Sequence, residues 1–382
     1  MVFLRSARVL QAFFAATALT ALGCNAELEG EDADIAVEEH VSDGAEALGN
    51  PTWTATGAMA TGRYGHGALR LASGDVLVAG GYNAAGFVGT AERYVAGAHA
   101  WTPSGALAEA RQNPALVTLT GGRAMVIGGI GASGYLATTE IYAPSANSWT
   151  PGASMSSGHY VGTASVTRNG GILVAGGVDT TYLTTAELYN PTTNSWSAAG
   201  SMVEARWAHA AVTLVPSGKI LVVGGQNAGG FVGSAEIWDP AKNSWSAAGS
   251  LTTARRGHRA SLLPTGKVLV VGGEDGTGSL ASVETYDPAT NAWTVAAPMS
   301  IPRYFPSMIR SGNALLVVGG RTDDDYTETT ELYDLTTSTW SLGQPMGTGR
   351  YFHTTTELPS QGGILVTGGW DGASVQASTE IY

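Results

Sequence analysis

Cysteine is nearly missing: Cys24 is the single one in 382 residues. No disulfide can form within the chain, so a disulfide-stapled scaffold is excluded, as is any paired-cysteine metal or redox motif. Charge is scarce as well, at 13% of residues against 44% hydrophobic, the reverse of a disordered composition. An apolar stretch of membrane-spanning length is also lacking, because the run from Val9 to Leu22 is about fourteen residues where a helix needs about twenty. Positive charge is short throughout: the formal net charge is -12, and from residue 51 onward 22 acids face 17 bases. Nucleic acid is therefore excluded as an expected partner, since its binding requires a basic face to replace counterions. What the chain does have is glycine, 53 residues without a collagen period, among many Val, Thr, Trp and Tyr. That combination predicts an all-β protein rich in turns.

The first 24 residues, MVFLRSARVLQAFFAATALTALGC, begin basic at Arg5 and Arg8, continue apolar and end in Gly23 and Cys24. These are the flanks of an export signal. Ala21-Leu22-Gly23-Cys24 resembles the lipobox of bacterial lipoproteins, although that family more often has Leu at the position of Ala21 and a small residue at that of Leu22. The resemblance implies that Cys24 becomes the first mature residue and carries a lipid, giving an exported protein held at the bacterial cell envelope by that anchor alone. The alternative is an ordinary signal peptide and a secreted product. Residues 25–50 carry nine acids and no Lys or Arg, which predicts a disordered, solvated spacer.

From residue 51 to 382 the chain repeats itself. AELYNPTTNSW at 186–196 returns as AEIWDPAKNSW at 235–245 and VETYDPATNAW at 283–293. Tryptophans at Trp53, Trp101, Trp149, Trp196, Trp245, Trp293 and Trp340, and Gly-Gly pairs starting at Gly80, Gly128, Gly176, Gly224, Gly272, Gly319 and Gly368, are spaced by 47 to 49 residues. Each unit holds four strand signals joined by short turns, and a period in this range with several strands per unit marks a propeller blade. Asn147, Asn194, Asn243 and Asn291 recur at one turn position, where Asn tolerates a left-handed backbone.

The spacing of Gly-Gly, a Glu about eleven residues on, an aromatic two further and a Trp seven beyond resembles the kelch repeat. The resemblance covers nearly everything from Trp53 to Tyr382 and implies a seven-bladed β-propeller of four-stranded antiparallel blades. The last unit stops without its Trp while Trp53 has no unit before it, so the N-terminal strand is expected to close the ring and remove an exposed sheet edge.

If the innermost strand a runs from face X to face Y, the turns after strands a and c lie on Y. The loops after Gly-Gly and the links between blades then lie on X. Six residues after each Trp stands a Met or Leu, read as a core plug: Met59, Leu107, Met155, Met202, Leu251, Met299 and Met346. Four further on stand Arg63, Arg111, His159, Arg206, Arg255, Arg303 and Arg350, followed by an aromatic in five blades: Tyr64, Tyr160, Trp207, Tyr304 and Tyr351. Two readings stand side by side. The arginines are blade framework bonded to neighbouring carbonyls, as kelch repeats often show, or they gather round the axis as a cationic, aromatic-lined mouth for an anionic or sugar-like ligand or an acidic peptide.

Other signals are discounted. Gly129-Ile130-Gly131-Ala132-Ser133-Gly134 matches a dinucleotide fingerprint but is followed by a strand rather than the helix the mechanism needs. His66, His209, His258 and His353 share one phase with Pro114, Gly162 and Pro306, which suits packing better than a metal site. Asp323-Asp324-Asp325 is read as a solvated loop rather than a calcium site. Kelch propellers also resemble the central domain of galactose oxidase, whose copper-radical chemistry uses a cysteine crosslinked to tyrosine; Cys24 lies in the sorting signal, so that cofactor is not expected. No catalytic residue, metal or cofactor is assigned. The expected function is monomeric, non-enzymatic recognition of a protein or glycan through face X, with a sugar mutarotase or epimerase as the alternative.

Overall fold

The computed structural model describes residues 52–358 and 363–382. The expected signal segment 1–24 with Cys24, and the spacer 25–50, lie outside the described residues. Among the latter are seven four-stranded antiparallel sheets, each a blade with strands a to d from the axis outward, in sequence order in six and with an outer strand drawn from the start of the described residues in the seventh. In blade 4 these are Ala210–Leu214, Lys219–Val223, Ser234–Asp239 and Ser244–Ser250.

The burial of each strand explains its sequence. Strand b reads as an unbroken hydrophobic run because both of its faces are covered: Leu221 and Val223 pack toward Val268 and Val270 of blade 5, while Ile220 and Val222 pack toward Leu173 and Ala175 of blade 3. The core is therefore a series of layers between blades. Val76 to Ala79 and Val268 to Val271, the b strands of blades 1 and 5, are fully buried for the same reason. Strand d forms the rim and alternates with exposed residues, but its Trp reaches back to the preceding blade. Trp149, Trp196, Trp245, Trp293 and Trp340 donate Nε1–H to the carbonyls of Ser104, Ala153, Ala199, Ala248 and Ala297 at 2.9–3.0 Å. The Met and Leu of each link are buried, as expected of plugs.

The turn after strand c uses Asn as its sequence pattern predicts. Asn147, Asn194, Asn243 and Asn291 have φ near +50°, and Tyr142, Tyr189 and Tyr286 donate a hydroxyl to the first, second and fourth of them. Ring closure is also as expected. Thr54–Ala55 pairs antiparallel with Thr379–Ile381, and the Trp53 ring packs 4.8 Å from that of Tyr382, reproducing the Tyr–Trp pair of the other blades.

Candidate functional site

Each Gly-Gly pair turns strand b into the loops of face X with both residues at positive φ, +67° and +102° for Gly224 and Gly225. A Cβ on Gly224 would strike the His258 ring of the next blade, and one on Gly225 would lie 2.7 Å from the Trp207 carbonyl. Glycine is thus required twice, for conformation and for close approach. The loops that follow include two-stranded hairpins in blades 1, 2, 4 and 5, such as Gln226–Asn227 with Gly230–Phe231. One of them, Ile130–Gly131 with Gly134–Tyr135, contains the fingerprint-like glycines, so no helix follows them.

The arginines do not face the mouth. Arg63, Arg111, Arg206, Arg255, Arg303 and Arg350 have no solvent exposure. Each turns back into its own blade. Arg255 donates from Nη1 to the carbonyls of Gly272 and Ser282, from Nη2 to Ser282 Oγ and Glu284 Oε1, and from Nε to the Thr253 carbonyl, at 2.9–3.2 Å. Arg63 repeats the pattern with Gly80, Thr90, Glu92 and Thr61. The glutamate carboxylate meanwhile accepts backbone N–H groups of the link, those of Thr252 and Thr253 for Glu284. Burial pulls the pKa of Arg255 below its ordinary value, and the charge of Glu284 opposes that shift. His159 occupies the same place: one ring nitrogen lies 2.6 Å from the Gly176 carbonyl and the other 3.4 Å from Glu187. Desolvation raises the pKa of Glu187, but hydrogen bonds from His159 and Ser156 outweigh it and leave it below the usual value. Of the two readings of Arg63, Arg111, His159, Arg206, Arg255, Arg303 and Arg350, burial supports the blade framework and corrects the ligand-gripping ring: these donors hold the link, strand b and strand c of one blade together.

The residues immediately after them do converge on face X. Tyr64, Tyr160, Trp207, Tyr304 and Tyr351 each form a bridge with the residue following Gly-Gly, namely Tyr82, Val178, Gln226, Arg321 and Trp370. One step further, Gly65, Asn113, Val161, Ala208, Gly257, Phe305 and Phe352 all adopt φ between +45° and +61°. Such a backbone is unfavourable for Val and Phe, and is held here by bonds between adjacent blades. Asn113 N–H donates to the Gly65 carbonyl, Ala208 to Val161, Gly257 to Ala208 and Phe305 to Gly257, at 2.7–3.2 Å. This collar narrows the axis, and Phe305 and Phe352, with ring centroids 5.2 Å apart and almost no exposure, fill it.

Above this floor stands a bowl of aromatic rings. Tyr304, Tyr326 and Tyr351 pack edge to face, with Tyr64, Tyr82 and Trp370 beside them. Tyr135 and Tyr160 lie 5.9 Å apart across blades 2 and 3, and burial, aided by Asp179 and Tyr182, raises the Tyr135 pKa. In blades 4 and 5 the Arg256 guanidinium lies 5.1 Å from the Trp207 ring and 5.8 Å from that of Phe231, donates to Glu274 at 2.7 Å and reaches Gln226 Oε1 at 2.6 Å. Arg321 sits over the Tyr304 and Tyr326 rings. Sequence reasoning named five of the aromatics but missed Arg256, Glu274 and the Phe305–Phe352 floor. The signal available was the phase: the position opposite each residue that follows an arginine or His159 is the first residue after Gly-Gly.

A family description, the KLHDC2/KLHL20/DRC7 Kelch-repeats domain, matches residues 162–369, more than half of the sequence, and the Kelch motif matches residues 113–156. The chain is a kelch-repeat protein. No curated protein sequence matches it. Among solved structures, a fungal alcohol oxidase of the AA5 family, in complex with copper, superposes with a TM-score of 0.71 at 20% identity, over 87% of this chain and 76% of that one. The structure of YjhT superposes with a TM-score of 0.60 at 16% identity, over 75% of this chain and 99% of that one. At these identities the likeness is one of fold. Among the described residues no three His, Cys, Asp or Glu side chains are grouped to hold a metal ion, and His66, His209, His258 and His353 are buried.

Proposed function

We propose that this kelch propeller is a non-enzymatic binding module that recognises a carbohydrate in the aromatic bowl of face X. The observation that carries the reading is the concentration of half-buried rings, Tyr64, Tyr82, Tyr135, Tyr160, Tyr326 and Trp370, around a floor of buried aromatics. Aromatic faces stack on sugar rings, and Gln226, Glu274 and Arg256 supply orienting hydrogen-bond groups beside them. An acidic peptide suits the bowl less well, because the arginines that share one phase of the repeat are enclosed in their blades and Arg256 already faces Glu274 at 2.7 Å.

The test is a glycan-array screen of the purified chain followed by titration of any hit. Trp370→Ala and Tyr64→Ala are expected to weaken binding about tenfold each while leaving the melting temperature nearly unchanged. Binding of acidic peptides in place of glycans would overturn the ligand class, and proton-NMR detection of accelerated anomer exchange in a bound sugar would replace recognition by an epimerase or mutarotase activity.

For location, we propose export and anchoring through a lipid on Cys24, carried by the export-signal pattern ending in Ala21-Leu22-Gly23-Cys24. Wild-type protein is expected in the detergent phase of solubilised membranes and Cys24→Ser in the aqueous phase or uncleaved; unchanged partitioning of Cys24→Ser rejects the anchor.

A further inference from the structure

The axis has a second end. Strand a of each blade lies nearest the axis, and in blades 1, 6 and 7 it carries partly exposed residues between buried ones: Ala68 and Arg70, Met308 and Arg310, Thr355 and Glu357. Toward face X the shaft is stopped by the Phe305–Phe352 floor. Toward face Y it widens into a cavity of about 610 Å3, lined there by Arg70, Ala72, Arg168, Val215 and Gly218 among others.

The chemistry of this cavity is unlike that of the rest of the molecule. Three arginines, Arg70, Arg168 and Arg310, line it against one acid, Glu357, in a chain whose net charge is -12. The remaining wall is largely aliphatic, with Val166, Val215 and Met308, and carries the hydroxyls of Thr118 and Thr355. Arg70 meets Glu357 at 3.6 Å, an ion pair longer than a hydrogen bond, with 30% of its side chain exposed. Arg168 donates one Nη2 hydrogen bond to the Pro216 carbonyl of the adjacent blade and is otherwise exposed. Neither guanidinium resembles the enclosed, fully bonded arginines of the blade framework, and each retains the forked geometry that receives a carboxylate through two parallel bonds.

We propose that this axial cavity is a binding site for a small organic carboxylate, with the carboxylate on Arg70 and Arg168 and an apolar body against Val166 and Met308. The volume lies within the range of small-molecule pockets, and the mixture of apolar wall and a few convergent polar groups suits an organic acid better than a bare inorganic anion. This site is separate from the bowl of face X and stands whether or not that bowl binds sugar.

The experiment is isothermal titration of the purified chain at low salt with three probes: hexanoate, succinate and inorganic phosphate. Saturable binding of hexanoate or succinate, tighter than that of phosphate, is expected. Arg70→Gln and Arg168→Gln should each weaken it about tenfold, and Glu357→Gln should tighten it by removing the competing acid. Thr118→Phe, which narrows the shaft without changing its charge, should abolish it, while Trp370→Ala on face X should leave it unchanged. Melting curves identify which variants are folded, so that the steric block and the charge changes check each other. Absence of saturable binding by either carboxylate, phosphate binding as tightly as hexanoate, or full binding by a folded Arg70→Gln/Arg168→Gln double variant overturns the proposal.

Discussion

At the scale of the residue, a guanidinium removed from water is tolerated only if its donors meet acceptors, and Arg255 meets that demand entirely within one blade. Removing it leaves Glu284 buried beside unpaired carbonyls. Arg255→Ala is therefore expected to lower stability by roughly 3–5 kcal/mol in urea denaturation, with Arg255→Lys only partly restoring it, because a compact ammonium cannot span acceptors on the link, strand b and strand c. A marginal loss in Arg255→Ala would show that the buried pair contributes little. His159 allows the converse test. Its blade presents the same acceptors, Gly176 and Thr185 carbonyls and Glu187, to a smaller side chain. His159→Arg is expected to stabilise the fold by about 1 kcal/mol or more through added charge-assisted hydrogen bonds, read as a raised melting temperature. A lowered one would mean that the blade has closed around imidazole and has no room for the longer group.

At the scale of the element, the ring is closed by very little strand. Thr54–Ala55 forms two register pairs with the last blade, supplemented by Thr56 N–H to the Thr379 carbonyl, Met59 N–H to Ala377 and the Trp53–Tyr382 contact. Its importance lies in what it covers, since without it the Thr379–Ile381 strand becomes an exposed edge. Deletion of residues 51–60 is expected to lower the melting temperature sharply and to produce higher oligomers on size exclusion, edge pairing replacing the lost strand. A truncated protein that stays monomeric with an unchanged melting curve would show that the closing strand is dispensable.

At the scale of the whole molecule, stability rests on contacts between blades, and several of these carry a titratable ring. His66 reaches Thr354 and Thr367 of the last blade, His209 reaches Thr163, and His353 reaches Ser307, at 2.8–3.1 Å. Burial, reinforced by the nearby framework arginines, depresses His66 and His258 to about 3 and holds His209 and His353 well below the ordinary histidine value. A folded pKa below the unfolded one means that the unfolded chain takes up protons first as pH falls. The contribution of these histidines is thus complete above the unfolded value of about 6.5 and is lost progressively from there toward about pH 3. Urea midpoints measured between pH 8 and pH 4 should be flat at the alkaline end and fall below about 6.5, with a shallower fall in His258→Gln. A midpoint independent of pH down to about 4.5 would contradict neutral burial of these rings.

Blade number, strand order and closure were legible in the sequence because they depend on local patterns: the Trp and Gly-Gly period, alternation along strands, and Asn at a left-handed turn. The phases of Arg255 and Trp207 were legible too, but their directions were not. A link residue can turn toward the axis or back into its blade, and the choice depends on acceptors from Gly272, Ser282 and Glu284, supplied by strands up to 29 residues away. The same holds for the floor of the bowl. Phe305 and Phe352 stand one repeat apart in sequence and meet only because adjacent blades pack, under a positive φ that their side chains would not choose in isolation. The axial cavity likewise needs Arg70, Arg168, Arg310 and Glu357 from four blades. Repetition along the chain determined the ring; which side chains share its axis was decided only when the blades packed, since convergence is a property of closure and leaves no periodic mark of its own.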